Sequence, residues 1–242
     1  MIQVHLFCNP FFDGYTFWKD VQKRISTSQR HTCSIHNISD VITIERWIEQ
    51  FLISSDAEQH IIVAHGSAIP FVADIAKNVL PHQNHIQISF VLSNGPLLGV
   101  DIIQQSYTNL PKKLQYWLVI SPFSKRFLSS SLAFRRLVIN PYVMNSDMIV
   151  ALCSPIFSNH QKVQTCIDYV NKYNDSFPVN IPSVFPTLLC WGTMDVRYPT
   201  TGLTSFETQR NHMQRKDIEG GQHFHPIERP WAISDEITSW IQ

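Results

Sequence analysis

Two residues late in the chain have the types and the setting for proton-transfer chemistry. Asp195 follows Trp191-Gly192-Thr193-Met194 at the end of an apolar run, and His223 stands in Glu219-Gly220-Gly221-Gln222-His223-Phe224-His225-Pro226. A His acting as a general base needs one tautomer and one orientation. A carboxylate accepting its Nδ1–H supplies both and stabilises the imidazolium. An Asp on the loop at the carboxyl end of a strand is also where open α/β sheets build their sites. Plainer roles compete. Asp195 could cap a turn. His223 and His225 could be two ligands of an ion, but no nearby Cys, His or Asp completes a shell, so no metal is expected. Cys8 lies at a strand end with no evident partner and reads as a packed thiol.

The elements that must position these residues alternate along the chain. The strand candidates are Gln3–Phe7, Thr32–His36, His60–Ala64, Gln87–Leu92, Thr187–Trp191 and Met213–Ile218. Helical periods cover Tyr15–Ser26, Asp40–Ser54, Ser67–Leu80, Thr201–Arg210 and Pro230–Ile241. Asp40 is the expected cap of the second, ahead of Thr43, Ile44, Trp47, Ile48 and Phe51. Strands alternating with helices give an α/β fold, a parallel sheet covered on both faces. Between Gly99 and Pro182 strand runs become scarce. Helix-like pieces at Lys112–Ile120, Ser131–Asn140, Asp147–Leu152 and Gln161–Lys172 are punctuated by Pro111, Pro122, Pro141, Pro155 and Pro178. The expected plan is a core from 1–98 and 183–242 with a helical cap inserted at 99–182.

Composition narrows the function classes. The 242 residues suit one domain with a full core, or a core with an inserted cap. Basic and acidic residues balance at 19 each, and no Lys/Arg run gives the electrostatic footprint of a nucleic-acid partner. Lys125, Arg126, Arg135 and Arg136 in the cap read as solvated helix faces, with an anionic carrier or substrate carboxylate as the alternative. Five unclustered Cys argue for reduced thiols and a cytoplasmic setting. The first residues, Met1 to Cys8, read as a strand and not a signal peptide, and no apolar run approaches a spanning helix. No cofactor and no membrane partner are expected.

Three segments resemble the α/β-hydrolase fold superfamily. His60-Ile61-Ile62-Val63-Ala64-His65-Gly66-Ser67-Ala68 resembles its nucleophile elbow, small-x-Nuc-x-small, with Gly66 at the nucleophile position. Pro186-Thr187-Leu188-Leu189-Cys190-Trp191-Gly192-Thr193-Met194-Asp195 is similar to the segment that carries the family's acid. Gly220-Gly221-Gln222-His223-Phe224-His225-Pro226-Ile227-Glu228-Arg229-Pro230 is similar to the segment that carries its His, with Gln222 where Gly is usual. The resemblance implies an α/β-hydrolase fold, the order nucleophile–acid–His at 66, 195 and 223, and a cleft between core and cap. Two registers compete at the elbow. Gly66 at the tip is flanked by the small Ala64 and Ala68; Ser67 at the tip would be flanked by the bulky His65 and Ile69, so the Gly66 register is favoured. His65 matches a family position that flanks the site. The resemblance places an oxyanion donor after the first strand. That donor is Asn9 N–H in one alignment and falls on Pro10, which has no N–H, in the other. Ser67 N–H is the second donor.

Gly66 has no side chain to carry an acyl group, and four readings stay open. The chain binds a ligand without catalysis; Ser67 is a displaced nucleophile; His223 and Asp195 work on water or on a C–H without covalent catalysis; or Gly66 replaces a Ser. The favoured expectation is an enzyme acting on a small apolar ester, thioester or related acyl compound through a degenerate triad. The alternative is a non-catalytic binding or scaffolding protein of the same fold.

Overall fold

The computed structural model describes residues 1–27, 31–41, 43–82, 86–98, 102–128, 134, 137–173, 178–203, 206 and 212–240. Six strands run parallel in one sheet: β1 (Ile2–Phe7), β2 (His31–His36), β3 (Gln59–His65), β4 (Gln87–Ser93), β5 (Thr187–Gly192) and β6 (Met213–Ile218). Their order is β2-β1-β3-β4-β5-β6. Pairing keeps one register through the centre, with Val4 opposite Ile61 and Ile61 opposite Ser89.

Both faces of this sheet are buried, which is why its central strands are mostly apolar, interrupted by single buried polar residues such as His5, His60 and Ser89. Successive residues of β3 point to opposite faces. Ile62 and Ala64 join one core with Phe7, Trp47, Val72, Ile75, Phe90 and Leu189. Ile61 and Val63 join the other with Val4, Leu6, Trp18, Val21, Leu188, Ile233 and Ile237. Helices α1 (Gly14–Ile25) and, last in the chain, α11 (Pro230–Trp240) cover the second face, while α2 (Ile44–Ile48) and α3 (Ile69–Val79) cover the first. Asp13 caps α1, its carboxylate accepting from Thr16 N at 2.7 Å.

The expected helix Asp40–Ser54 is broken. Ile38–Asp40 is a separate 3-10 turn, and the cap of α2 is Thr43, whose hydroxyl accepts from Arg46 N at 3.1 Å. Beyond Ile48 the chain widens into a π-turn, Glu49–Ile53, closed by Ser54 N donating to Glu49 O. Thr43 outcompetes Asp40 because Val41 leaves the turn in extended backbone.

Between β4 and β5 the described residues hold six helices: α4 (Ile102–Thr108), α5 (Lys112–Ile120), α6 (Pro122–Leu128), α7 (Ser146–Leu152), α8 (Ser154–Ser158) and α9 (His160–Lys172). A short helix, α10 (His225–Glu228), precedes α11. Of the expected helix Ser131–Asn140, residues 131–133, 135 and 136 lie outside the described residues, as do Arg210 and most of Thr201–Arg210. The α9 helix is tied to the core at several points. Tyr169 Oη donates to Ser67 O at 2.6 Å, Tyr173 Oη to Asp74 at 2.8 Å, and Lys162 pairs with Asp40 at 2.7 Å.

Candidate active site

The three segments singled out by the sequence meet at the carboxyl edge of the sheet. Strand β3, buried from His60 onward, runs into the turn Gly66–Ala68 and then α3. Gly66 has φ +61°, a left-handed conformation that other residues adopt only with strain. Ala64 and Ala68 are fully buried where strand, turn and helix close on each other. A Cβ built on Gly66 would have one neighbour within 4 Å outside its own turn, His223 Nε2 at 3.9 Å. Gly66 therefore occupies the tip of the turn and faces the imidazole.

Strand β5 delivers Asp195 and the β6 loop delivers His223. The loops touch backbone to backbone: Met194 N donates to Gly221 O at 2.9 Å, and a Cβ on Gly192 would lie 2.4 Å from that same carbonyl. No residue with a side chain fits at 192. His223 Nδ1 and Asp195 Oδ2 are 3.0 Å apart, both side chains buried. Asp195 Oδ2 also accepts from Asn94 Nδ2 at 2.6 Å, and Oδ1 accepts from Arg197 N at 2.8 Å and Tyr198 N at 3.2 Å. Burial pushes this carboxyl up. The His223 hydrogen bond and charge, with the two backbone N–H groups, more than offset that and hold it below the usual carboxylate range. It is thus an anion that fixes His223 with Nδ1–H toward it and Nε2 toward Gly66.

Asn94 was not anticipated. It sits just past β4 at φ +39°, donates to Asp195 and accepts from Gly192 N at 2.8 Å, so one side chain bridges the β4 and β5 loops. The available signal was Ser93-Asn94-Gly95, turn residues directly after a buried strand. Ser93 and His225 were missed as well. His65 Nδ1 and Ser93 Oγ are 3.2 Å apart, Ser93 Oγ and His225 Nε2 3.3 Å, and His225 Nδ1 lies 3.2 Å from Gln222 O. All three side chains are buried. Burial, then the neighbouring imidazoles and Arg197, push His65 well below the ordinary His value. Burial foremost pushes His225 to about 4. With both rings neutral, Gln222 O accepts from His225 Nδ1–H, Ser93 donates to His225 Nε2, and His65 Nδ1–H donates to Ser93. The His65 ring lies 5.0 Å from that of His223. His225 belongs to this relay, and among the described residues no group of three His, Cys, Asp or Glu could hold a metal ion.

Ser67 is the residue after the tip. Its Oγ is buried and makes no hydrogen bond, to His223 or to any other group. It borders a cavity of about 380 Å³ with Asn9, Phe11, Phe12 and Arg197 from the core side and Val119, Phe123, Phe127, Ile156 and Val170 from the helices between β4 and β5. The wall is overwhelmingly apolar. Asn9 is held in a tight turn, its Oδ1 accepting from Phe11 N and its carbonyl from Phe12 N, both at 2.9 Å. Pro10 lies elsewhere: its carbonyl accepts from Cys166 Sγ at 3.0 Å, and it lines a second cavity beside α9. Cys8 is buried, and all five Cys are unpaired.

No family model and no curated protein matches the chain. Solved structures do. A thermophilic esterase from Thermogutta terrifontis superposes with a TM-score of 0.71 at 14% identity, over 100% of this chain and 89% of the esterase. Carboxylesterase from the thaumarchaeon Nitrososphaera gargenis gives 0.67 at 12%, over 99% and 89%. An epoxide hydrolase of Bacillus megaterium gives 0.64 at 13%, over 99% and 93%. With the parallel six-stranded sheet and the strand order above, these likenesses establish that the chain has the α/β-hydrolase fold.

Proposed function

We propose that the chain hydrolyses a small apolar ester, thioester or related acyl compound with His223 as general base and Asp195 as its orienting carboxylate. The observation that carries this is the paired geometry at His223: Nδ1 on the buried Asp195 carboxylate, and Nε2 facing the side-chain-free tip at Gly66. A Ser at this tip would be the nucleophile. With Gly there, a water beside Nε2 takes the nucleophile's place: His223 deprotonates it as the water adds to the acyl carbon, and the imidazolium then gives that proton to the departing alkoxide or thiolate as the acyl–O or acyl–S bond breaks. Asn9 and Ser67 backbone N–H groups are assigned to the developing oxyanion, in keeping with their place on the cavity wall. The helices at 99–182 act as a cap, and the cavity beneath them takes the apolar part of the substrate. Five unpaired thiols support a cytoplasmic setting.

The missing side chain also favours a second reading, a ligand-binding or scaffolding protein on the same fold. A panel of p-nitrophenyl and thioester substrates separates the two. The hydrolase reading requires turnover that is lost in His223→Ala; absence of turnover across the panel, with an apolar ligand still bound, assigns the binding role.

A further inference from the structure

The chain is neutral as a whole, yet its charges are segregated. From Ile102 to Ser146, between Asp101 and Asp147, the sequence has six basic residues and no acidic one, out of 19 of each in the chain; on the described helices Lys112 pairs with Asp168 of α9, while Lys113 and Arg126 are exposed. This stretch includes α5 and α6, whose exposed faces are aromatic. On α5, Lys113, Leu114 and Trp117 are all exposed, and their spacing of one and three residues places them on one side of the helix. On α6, Phe123, Arg126 and Phe127 are exposed. Trp117 is 57% exposed, Phe123 79% and Phe127 50%. Three large exposed rings on two consecutive helices, each helix also carrying an exposed cation, call for an explanation beyond the singly scattered apolar residues of an ordinary surface. Phe123 and Phe127 are at the same time walls of the apolar cavity, so the surface and the cavity mouth are continuous.

Basic side chains next to exposed Trp and Phe are the chemistry that recognises an anionic lipid interface: the rings enter the headgroup boundary and the cations meet lipid phosphates. An acidic protein would also satisfy the cations; the lipid surface is favoured because Phe123 and Phe127 are both exposed and part of the apolar cavity wall, which opens an apolar path from the surface to the cavity. No described helix is long and apolar enough to cross a membrane, and surface docking requires none. We propose that the face formed by α5 and α6 docks on an anionic lipid surface, with the cavity mouth toward the lipid. This goes beyond the hydrolase reading and reverses the expectation of no membrane partner. It is read without any turnover.

The test is co-sedimentation of the full chain with vesicles of phosphatidylcholine, and of phosphatidylcholine with phosphatidylglycerol, at low and high salt. The protein should pellet with the anionic vesicles, and salt should release it. Lys113→Glu with Arg126→Glu should weaken partitioning about fivefold or more per residue. Trp117→Ser with Phe123→Ser should weaken it about tenfold per ring. Thermal melts confirm that the variants fold, and the salt series on the unaltered protein stands on its own if they do not. The proposal is overturned if the protein stays in solution with anionic vesicles at low salt, if it pellets equally with neutral ones, or if folded variants pellet like the parent. Binding to poly-glutamate without vesicle pelleting overturns it in favour of an acidic protein partner.

Discussion

The Cβ position of Gly66 lies 3.9 Å from His223 Nε2, with no other group outside the turn as near. A hydroxymethyl group at that point would bring its oxygen within hydrogen-bonding range of the imidazole. On the proposed reading, a base and its orienting acid therefore stand beside a residue that cannot form a covalent bond to an acyl group.

Gly66→Ser should convert the chain into a target for a serine-directed fluorophosphonate, which should leave the unaltered protein unlabelled. The backbone at φ +61° makes the new side chain cost about 1–3 kcal/mol, read as a lower melting temperature. Labelling of the unaltered protein that maps to Ser67 would sink this reading of the turn. Ser67→Ala is the control. Its Oγ has no partner, so the change should leave turnover within about twofold and stability equal or slightly higher, since an unpaired buried hydroxyl is removed.

Asp195→Asn should lower ester turnover by about 10³–10⁴-fold, because an amide can present Nδ2–H toward His223 and turn the imidazole into the wrong tautomer. The amide would also face N–H donors from Asn94, Arg197 and Tyr198 that the carboxylate now satisfies. The carboxyl is held below its ordinary 3.8 in the fold, so its stabilising effect is fully present above that value and is lost as pH falls through the folded value. The variant should lack this acid limb in an unfolding titration. An unchanged rate with an unchanged limb would contradict the pairing.

The inner strands β1, β3, β4 and β5 were legible because a parallel sheet buried on both faces leaves mostly apolar runs; the edge strands β2 (His31-Thr32-Cys33-Ser34-Ile35-His36) and β6 (Met213-Gln214-Arg215-Lys216-Asp217-Ile218) are largely polar, yet each of the six lies within two residues of where the sequence placed it. Gly66, Asp195 and His223 were legible through their local segments, since each sits on a turn with its own glycine or small-residue requirement. The residues linking the turns were not. Asn94 bridges Asp195 to Gly192 across 98 and 101 positions, and Ser93 reaches His225 across 132, separations to which no local pattern is sensitive. Helices α4, α6 and α8, five to seven residues long, are too short to show a full hydrophobic period; the equally short α7 was legible as a helix-like piece at Asp147–Leu152. The break after Asp40 escaped because a Thr three residues on offers an equally good cap.

Filling the cavity should change chain-length preference before it changes chemistry. Ile156→Trp projects an indole into the roughly 380 Å³ space without touching Asp195 or His223. Across a series of p-nitrophenyl esters, KM should rise by about tenfold or more for the long acyl chains, with kcat for acetate held within about threefold. A uniform fall in kcat for all chain lengths would place the substrate elsewhere.

Acid should destabilise the fold from near neutrality. Burial pushes His36, His60 and His225 to about 4 and lowers His5 and His65 strongly. Trp47 Nε1–H donates to His36 Nδ1, so the neutral rings His36, His5 and His60 form a one-way chain with contacts of 3.1 Å. These groups have folded values below their unfolded value of 6.5, so protons bind the unfolded chain first. Stability is at its plateau above pH 6.5 and falls as pH drops from there toward 4, by about 1.4 kcal/mol per pH unit for each such His. Urea midpoints measured from pH 7.5 to 4 should fall steeply; a flat profile down to pH 4.5 would show that these rings are charged in the fold.

Ser93→Ala tests whether the buried relay positions the loop that carries His223. The serine hydroxyl accepts from His65 Nδ1–H and donates to His225 Nε2, so one substitution leaves a buried donor and a buried acceptor unpaired, at a cost of about 1–3 kcal/mol. His225 is two residues from His223 and begins α10, and His65 precedes Gly66. Loosening both ends should let the imidazole drift from the Gly66 tip, since misplacement on the order of 1 Å costs about 10²-fold in rate. The expected signature is a fall in kcat with KM nearly unchanged, and partial recovery in Ser93→Thr, which keeps the hydroxyl. In Gly66→Ser protein the same change should slow fluorophosphonate labelling in parallel. If Ser93→Ala loses stability but keeps both kcat and the labelling rate, the relay is packing alone and does not position His223.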